Sequence, residues 1–185
     1  MRRLFQILML LAGIAIVAGC GEKKKSDYII ATKPETPKPQ GPIRMQEYSQ
    51  TKDIKWLDKN YQIDIRREPD DSLRMVKDEN GQKYVDNRIS VRVLRADGSV
   101  FFGCSFTKAA FDAQLDNDYR RSGILESLVF DRVEGNQLYF AASVSLPQTD
   151  DEYIPMIVSV SNLGEVGIRR DNSLDTYGIG DEDEI

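Results

Sequence analysis

The 185-residue chain contains no histidine and only two cysteines, Cys20 and Cys104. Histidine is the side chain that most often acts as a general base near neutral pH and that most often binds transition metals. Its absence excludes Ser-His-Asp and Cys-His catalysis, and two cysteines are too few for a structural zinc site. From these absences we expect no catalytic residue, no bound metal and no cofactor.

The chain also lacks an excess of positive charge. Its formal net charge is −5, and without residues 1–19, which contain Arg2 and Arg3 but no acid, 23 basic residues remain against 30 acidic ones. An acidic protein is repelled by phosphate backbones, so nucleic acid is not expected as a partner. The 41% apolar content is typical of a folded protein, and the length fits one domain with unstructured appendages.

No apolar run is long enough for a comfortable permanent membrane span, but a shorter one stands at the N-terminus. Arg2 and Arg3 precede an apolar stretch from Leu4 to Val17, the pattern of a secretory signal peptide. The following Val17-Ala18-Gly19-Cys20 resembles the lipobox of bacterial lipoproteins, in which the cysteine thiol receives a diacylglyceryl group. We therefore expect residues 1–19 to be removed and lipidated Cys20 to attach the chain to a membrane. An uncleaved anchor helix is the alternative.

Two segments have compositions that disfavour a packed core. Residues 20–52 hold a run of lysines and four prolines, which predicts a tether. Contact of its lysines with anionic headgroups, and docking of its Lys-Pro stretch in an aromatic groove, are alternatives. Residues 171–185 contain six acids and predict a disordered tail. The globular domain is expected between them, at residues 53–170.

Alternating apolar residues in this domain indicate strands. Tyr61, Ile63 and Ile65 lie on one face of a strand, and Arg88 to Arg95 alternate in the same way. Asn80-Gly81 and Asp97-Gly98 predict hairpin turns, the first of the primed type. Five later strands are expected at residues 100–106, 125–133, 137–146, 153–161 and 165–170.

One helix interrupts this series. Thr107 is the expected cap of a helix that runs through Phe111 and Leu115 and ends at Gly123. The sequence therefore predicts a mainly β (α+β) fold, with seven or eight strands in a curved antiparallel sheet, sandwich or barrel-like, and one principal helix.

Candidate site residues are few, and each has an ordinary structural explanation. The segment Tyr84-Val85-Asp86-Asn87-Arg88 places an acid, an amide and a base at the start of a strand, where such residues usually bind local backbone. Asp116-Asn117-Asp118 resembles the start of a calcium loop, but Arg121 and Ser127 occupy the positions that need glycine and glutamate.

Acids and aromatics complete the set of candidates. Asp150-Asp151-Glu152 lie in a loop, where acids are usually solvated, although Asp116, Asp118, Asp150 or Asp151 could form a carboxylate pair for glycan hydrolysis. Cys104 is expected to be a buried, inert thiol. The pairs Phe101-Phe102 and Tyr139-Phe140 must each send one ring to either face of a strand, so that one ring of each pair could line a cavity or a partner surface. The remaining strand aromatics, expected in the core, are Trp56, Tyr61, Phe106 and Tyr153.

Several segments together resemble a family of lipoproteins of unknown function from gut Bacteroides and related bacteria. They are the lipobox at Cys20, Gly81 to Asn87, Asp97-Gly98-Ser99, Phe106-Thr107-Lys108 and Ser143 to Pro147. The resemblance implies a cell-envelope lipoprotein, and it brings no catalytic residues with it.

These features favour a non-enzymatic, lipid-anchored envelope module that binds a protein, a glycan or a small apolar ligand. A carboxylate-dependent glycan hydrolase and an accessory subunit of an envelope complex are the alternatives. Gly21 after the lipidated cysteine does not suggest retention in the inner membrane, and Glu22-Lys23-Lys24-Lys25 lacks the acidic run of some surface-exported lipoproteins. The periplasmic face of the outer membrane is therefore the expected location.

Overall fold

A computed structural model describes residues 41–147 and 152–173 of the chain. The predicted signal peptide, Cys20, the tether up to Gln40, the loop acids Asp150 and Asp151, and the tail beyond Ser173 lie outside these residues. Strands dominate the described part and helices are few, which confirms the mainly β prediction. Within residues 41–147 and 152–173, no helix is long and apolar enough to cross a membrane.

The first six strands form one four-stranded sheet, called sheet 1, and a small hairpin. In chain order they are β1 (Tyr48–Trp56), β2 (Lys59–Pro69), β3 (Val76–Lys77), β4 (Lys83–Tyr84), β5 (Asn87–Arg95) and β6 (Val100–Phe106). Sheet 1 is antiparallel with the order β1, β2, β5, β6, and β3 pairs only with β4. The predicted alternation places Ile63 opposite Val93 and Ile65 opposite Val91, so one face of sheet 1 is apolar and buried.

Sheet 1 starts earlier in the chain than expected. β1 begins at Tyr48, so residues 48–52 form part of a strand although their composition predicted a tether. Upstream of it, Ile43 forms a parallel bridge with Tyr84. Most β1 side chains are exposed or only partly buried, and the strand therefore lacks the apolar alternation by which sequence reasoning recognises strands.

The turn at Asn80-Gly81 differs from the predicted primed turn. The Gly81 N–H donates to the Asp78 carbonyl, and Gly81 has φ +79° whereas Asn80 is not in the left-handed region. The Asp78 carboxylate accepts the N–H groups of both Asn80 and Gln82 at 2.9 Å. The side-chain contacts of Asp78 thus stabilise a longer loop than the two-residue turn that Asn80-Gly81 predicted.

The predicted principal helix is wrong, because two short helices replace it. A 3-10 helix covers Lys108–Gln114, and helix α1 covers Asn117–Ser122. Leu115 and Asp116 between them have extended backbones, and Thr107 makes no side-chain capping bond. Asp116-Asn117-Asp118 are residues that compete for backbone hydrogen bonds and favour caps over helix interiors, which explains the break.

The last four strands form sheet 2. They are β7 (Ile124–Glu134), β8 (Gln137–Ser145), β9 (Tyr153–Ser161) and β10 (Val166–Arg170). Their antiparallel order is β10, β9, β8, β7, and the pairing of β7 with β8 shifts register twice, near Glu126 and Asp131. These shifts bend β7, which also contacts β5 and β2 of sheet 1.

The two sheets pack face to face as a sandwich and are not closed into a barrel. One apolar core joins residues from both sheets with Phe111 and Leu115 of the helical segment, and Trp56, Phe111 and Phe140 are its largest fully buried side chains. At one end, called the turn end, tight turns join β1 to β2, β5 to β6, β7 to β8 and β9 to β10. The opposite end, called the loop end, carries the β3-β4 hairpin and both helices.

Candidate functional site

Two of the segments singled out in the sequence meet at the loop end. Asp86 and Asn87 lie where β5 begins, and Lys108 lies just after β6 ends. Because β5 and β6 are antiparallel, with Ile89 opposite Phe106, these residues become neighbours. The start of β7 packs against them from sheet 2. We call Asp86, Asn87 and Lys108 the buried polar centre.

Asp86 holds the backbone of the neighbouring strand. Its side chain is buried, with 4% of the residue exposed, and its Oδ1 accepts the N–H groups of Asn87 and Leu125, each at 2.8 Å. The Asp86 carbonyl also accepts the N–H of Asp70 at 2.9 Å. Desolvation raises the pKa of Asp86, and the two backbone N–H bonds and the charge of Lys108 oppose that rise.

Asn87 completes the contact with Leu125. Its Nδ2 donates to the Leu125 carbonyl at 2.9 Å and to the Met45 sulfur at 3.1 Å, and the residue is fully buried. Asp86 and Asn87 therefore satisfy both backbone groups of Leu125, as a neighbouring strand would. Among the described residues, Asn87 Oδ1 has no hydrogen-bond partner. An unpaired buried amide oxygen is unfavourable, so Asn87 lowers the stability of the fold at this atom while its Nδ2 forms hydrogen bonds.

Lys108 binds the segment just before β7. Its Nζ donates to the Gly123 carbonyl at 2.6 Å, and burial lowers the pKa of Lys108 while Asp86 and Asp112 oppose the shift. Gly123 is tightly packed, because a Cβ there would lie 2.6 Å from the Tyr119 carbonyl oxygen and 2.8 Å from Val144. The centre thus fixes residues 123–125, which join α1 to sheet 2.

A polar cavity of about 520 Å³ adjoins this segment. The β3-β4 hairpin forms one wall, and the end of α1 with the exit of β8 forms the other. Each wall carries both signs of charge: Lys77 with Asp78 and Glu79 on the hairpin, Arg121 with Asp118 on α1. Asp118 and Arg121 are ion-paired at 2.6 Å. Such a surface offers hydrogen-bond donors and acceptors to a ligand beside the apolar surface of Leu146 and Pro147.

Of the four carboxylates considered for glycan hydrolysis, the two in the described part of the chain form surface ion pairs. Asp116 pairs with Arg170 at 3.1 Å and Asp118 with Arg121, and both acids are largely exposed. Asp150 and Asp151 lie outside the described residues. In residues 41–147 and 152–173, no group of three or more acids or cysteines is placed to hold a metal ion.

The aromatic pairs and Cys104 depart partly from expectation. Phe140 is buried against Phe130, while Tyr139 lies under the Arg132 guanidinium at 4.4 Å, as the two-face prediction requires. Phe101 instead lies beside a register shift in β6 and folds back onto Trp56 and Tyr61. Cys104 is only partly buried against the core and is a free thiol. Tyr153, expected in the core, is instead 47% exposed, because it is the first residue of β9 at the loop end.

Sequence reasoning identified Asp86, Asn87 and Lys108 as members of motifs but missed that they form one centre. It also missed Gly123 and Leu125, which those side chains bind. The only available signal was the interruption of the apolar pattern at Asp86-Asn87 directly before a buried strand.

The fold and this centre define a class of protein: a small antiparallel β-sandwich whose two sheets are joined at one end by a buried polar centre. The chain belongs to a family described as a domain of unknown function, DUF4738, whose model matches residues 29–168. No curated protein matches the sequence.

Proposed function

We propose that this chain is a lipid-anchored cell-envelope protein whose sandwich is a non-enzymatic binding module. The anchor proposal is supported by Arg2 and Arg3, the apolar stretch and Val17-Ala18-Gly19-Cys20, which have the order and length of a lipoprotein signal. The acyl chains on Cys20 would hold the protein at the membrane, with the periplasmic face of the outer membrane as the proposed location.

The binding proposal depends on one observation: the side chains of the buried polar centre bond backbone groups next to the cavity. The buried carboxylate and the partly buried ammonium are both bonded to backbone: Asp86 Oδ1 accepts two N–H groups, and Lys108 Nζ donates to the Gly123 carbonyl. These bonds hold Gly123 and Leu125, next to Ser122 in the wall of the cavity. A rigid wall with both charge signs suits recognition of a polar glycan or of a polar protein segment.

The hydrolase alternative receives less support. Two-carboxylate hydrolysis needs two acids that face each other across the substrate. Asp116 and Asp118 are instead ion-paired with Arg170 and Arg121 at the surface. A role as an accessory subunit of an envelope complex is favoured by exposed apolar residues of the turn end, among them Leu57, Val100 and Leu163.

The anchor is tested by replacing Cys20 with alanine in the full chain. Because its thiol is the acyl acceptor of the motif, we expect Cys20→Ala to accumulate as an unprocessed precursor that incorporates no labelled fatty acid. Cys104→Ala is the matched control, since it removes the other cysteine and should leave processing and lipid incorporation unchanged. Normal lipid labelling of Cys20→Ala would overturn the anchor proposal.

The binding proposal is tested by nuclear magnetic resonance titration of the labelled protein with soluble glycan fragments of the envelope. We expect the largest shifts at Lys77, Asn80 and Ser122, which line the polar cavity. Arg121→Glu should weaken binding at least fivefold, because it reverses a charge on the cavity wall. Arg169→Glu, an exposed change on β10 away from the cavity, is the control. Shifts confined to other surfaces would reject the cavity as the site.

A further inference from the structure

Three functional groups of the buried polar centre lie in a row at the start of β7. The Lys108 amine donates to the Gly123 carbonyl at 2.6 Å. The Asp86 carboxyl and the Asn87 carboxamide bind the N–H and the carbonyl of Leu125, at 2.8 and 2.9 Å. Gly123 is extended, with φ −74° and ψ 160°, and in an extended segment residues two apart direct their backbone groups to the same side. The three side chains therefore approach from one side, with Asp86 between Lys108 and Asn87.

The strand register places Asn87 opposite Lys108. Ile89 of β5 pairs with Phe106 of β6, and Thr107 continues the extended backbone with φ −122° and ψ 167°. Two further steps along this antiparallel register bring Asn87 level with Lys108. Directly opposite residues have Cβ atoms about 5 Å apart on the same face of the sheet. A lysine side chain spans more than this distance, so rotation about its bonds is enough to bring Nζ from its carbonyl partner to the Asn87 carboxamide.

The surroundings favour the uncharged forms of the acid and the amine. Burial raises the pKa of Asp86 and lowers the pKa of Lys108. The positive charge of Arg74 lowers the pKa of Lys108 further, whereas the charges of Asp86 and Asp112 oppose the fall. Both shifts favour transfer of a proton from the Lys108 ammonium to the Asp86 carboxylate. A neutral, desolvated lysine amine is a nucleophile.

Asn87 supplies an electrophile with an unused oxygen. The residue is fully buried, and its Nδ2 donates to the Leu125 carbonyl and the Met45 sulfur. Within residues 41–147 and 152–173, its Oδ1 has no hydrogen-bond partner. A protonated Asp86 carboxyl beside it is the donor that this oxygen lacks, and such a bond would polarise the Asn87 carbonyl for attack.

We propose that Lys108 and Asn87 form an intramolecular amide bond, with Asp86 as the proton carrier. After Lys108 has passed a proton to Asp86, the Nζ lone pair attacks Asn87 Cγ, and the Asp86 carboxyl gives that proton to Oδ1. As the tetrahedral intermediate collapses, Oδ1 returns the proton to Asp86, and Nδ2 leaves with one proton from Nζ as ammonia. One C–N bond forms and one breaks, and no oxidant or reductant takes part.

The bond would lock the loop end of the sandwich. It closes the loop of residues 87–108 at the open end of the β5-β6 hairpin. A covalent link of this kind constrains the unfolded chain as a disulfide does. Because Lys108 and Asn87 meet beside the segment that leads from α1 to β7, the link also fixes the base of the polar cavity wall.

The test is tandem mass spectrometry of the full chain after denaturation and digestion with trypsin. We expect a branched product that joins residues 84–88 to residues 96–120, because trypsin does not cleave after an amide-linked Lys108. Its mass should be lower than the sum of the two peptides by one ammonia. Separate peptides that end at Arg88 and at Lys108, without the branched product, would overturn the proposal. A product that is lighter by one water and joined at Asp86 would also overturn it.

Two substitutions identify the reacting amine and the proton carrier. Lys108→Arg keeps the positive charge and removes the amine, so the branched product should disappear. Lys83→Arg, which changes an exposed lysine on β4, is the matched control and should leave the yield unchanged. Asp86→Asn keeps an oxygen acceptor for the Leu125 N–H but carries no acidic proton, so the yield should fall at least tenfold. Circular dichroism of each variant verifies that the fold is retained.

An unchanged yield in folded Asp86→Asn, or any branched product at position 108 in Lys108→Arg, would contradict the mechanism. Neither the cavity ligand nor Cys20 enters the mass measurement. A missing amide bond would therefore reject this inference and leave the proposed anchor and binding site to their own tests.

Discussion

At the scale of single residues, Asp86 shows how a buried carboxylate can serve as a structural connector. It accepts the Leu125 N–H, as a carbonyl of a neighbouring strand would, at the point where sheet 1 meets sheet 2. Its burial is unfavourable for the charged form, as the raised pKa indicates. The two N–H groups it binds would otherwise be buried without partners.

We therefore expect Asp86→Ala to lower the free energy of unfolding by about 2 kcal/mol or more at pH 7, because two backbone N–H groups lose their acceptor. Asp86→Asn keeps an oxygen at that position and should cost clearly less. Urea unfolding of the two variants measures the difference. Equal losses would show that the negative charge, rather than the acceptor, is what Asp86 supplies.

The pKa of Asp70 is shifted in the opposite direction from that of Asp86, so Asp70 makes the stability of the fold depend on pH. Hydrogen bonds from the Ser72 hydroxyl and N–H, and from Arg88, lower the pKa of Asp70 to about 2. A carboxyl with a lowered folded pKa stabilises the fold above its unfolded pKa of about 3.9, and that contribution is lost as the pH falls toward 2. We expect Asp70→Asn to flatten the fall in stability between pH 4 and pH 2. Ser72→Ala should flatten it partly, and urea unfolding at several pH values provides the comparison.

At the scale of elements, burial of the Phe111 ring stabilises the segment between β6 and β7 more than helix formation does. The 3-10 helix and α1 are each too short to be stable alone. Phe111, in contrast, is fully buried and contacts Phe106 at a ring-centroid distance of 6.1 Å. Phe111→Ala should lower the free energy of unfolding by about 3 to 5 kcal/mol through loss of burial and creation of a cavity. Ala113→Gly, an exposed change in the same helix, is the control and should cost about 1 kcal/mol or less.

The β3-β4 hairpin depends on the conformation of Gly81. Open space surrounds the position of a Cβ at Gly81, so the cost of a side chain there comes from φ alone. Gly81→Val should lower the free energy of unfolding by about 1 to 2 kcal/mol, because a β-branched residue resists φ near +79°. Gly41→Val also adds a side chain in open space but without a positive φ, and it should be nearly neutral in the same thermal or urea unfolding experiment.

At the scale of the whole molecule, the sandwich includes residues that a composition-based boundary leaves out. Ile43 exchanges backbone hydrogen bonds with Lys83 and Val85, and Met45 packs on Val76, Tyr84 and Ile124. Arg67 also donates to the carbonyl of Gln46 at 3.0 Å. These contacts attach residues 43–46 to the loop end, beside the buried polar centre.

A chain that begins at Gly41 should therefore be more stable than one that begins at Ser49, by about 1 to 3 kcal/mol from the lost packing and hydrogen bonds. Both should unfold cooperatively, because the main core lies entirely after Ser49. Guanidinium unfolding followed by circular dichroism measures the difference. Equal midpoints would show that residues 43–46 merely rest on the surface.

The local pattern of the sequence determined most of the strands and the mainly β class. Period-two alternation is visible wherever one face of a strand is buried, as at Ile89, Val91 and Val93. It failed for β1, whose side chains are mostly exposed, and for the helix, where Asp116 interrupts a run that Phe111 and Leu115 suggested. In both places the deciding interactions are with other segments of the chain.

The buried polar centre and the surface of the turn end were decided only by the tertiary structure. Asp86 and Leu125 are 39 positions apart, and no spacing rule connects an acid before one strand to an N–H at the start of another in the opposite sheet. The same holds for Leu57 and Leu163, which share an end of the sandwich only because both sheets turn there. The membrane location proposed for the chain depends on a short contiguous motif at Cys20, which can be recognised from the sequence alone. Sites assembled from distant segments depend on sheet order and packing, which the local pattern does not encode.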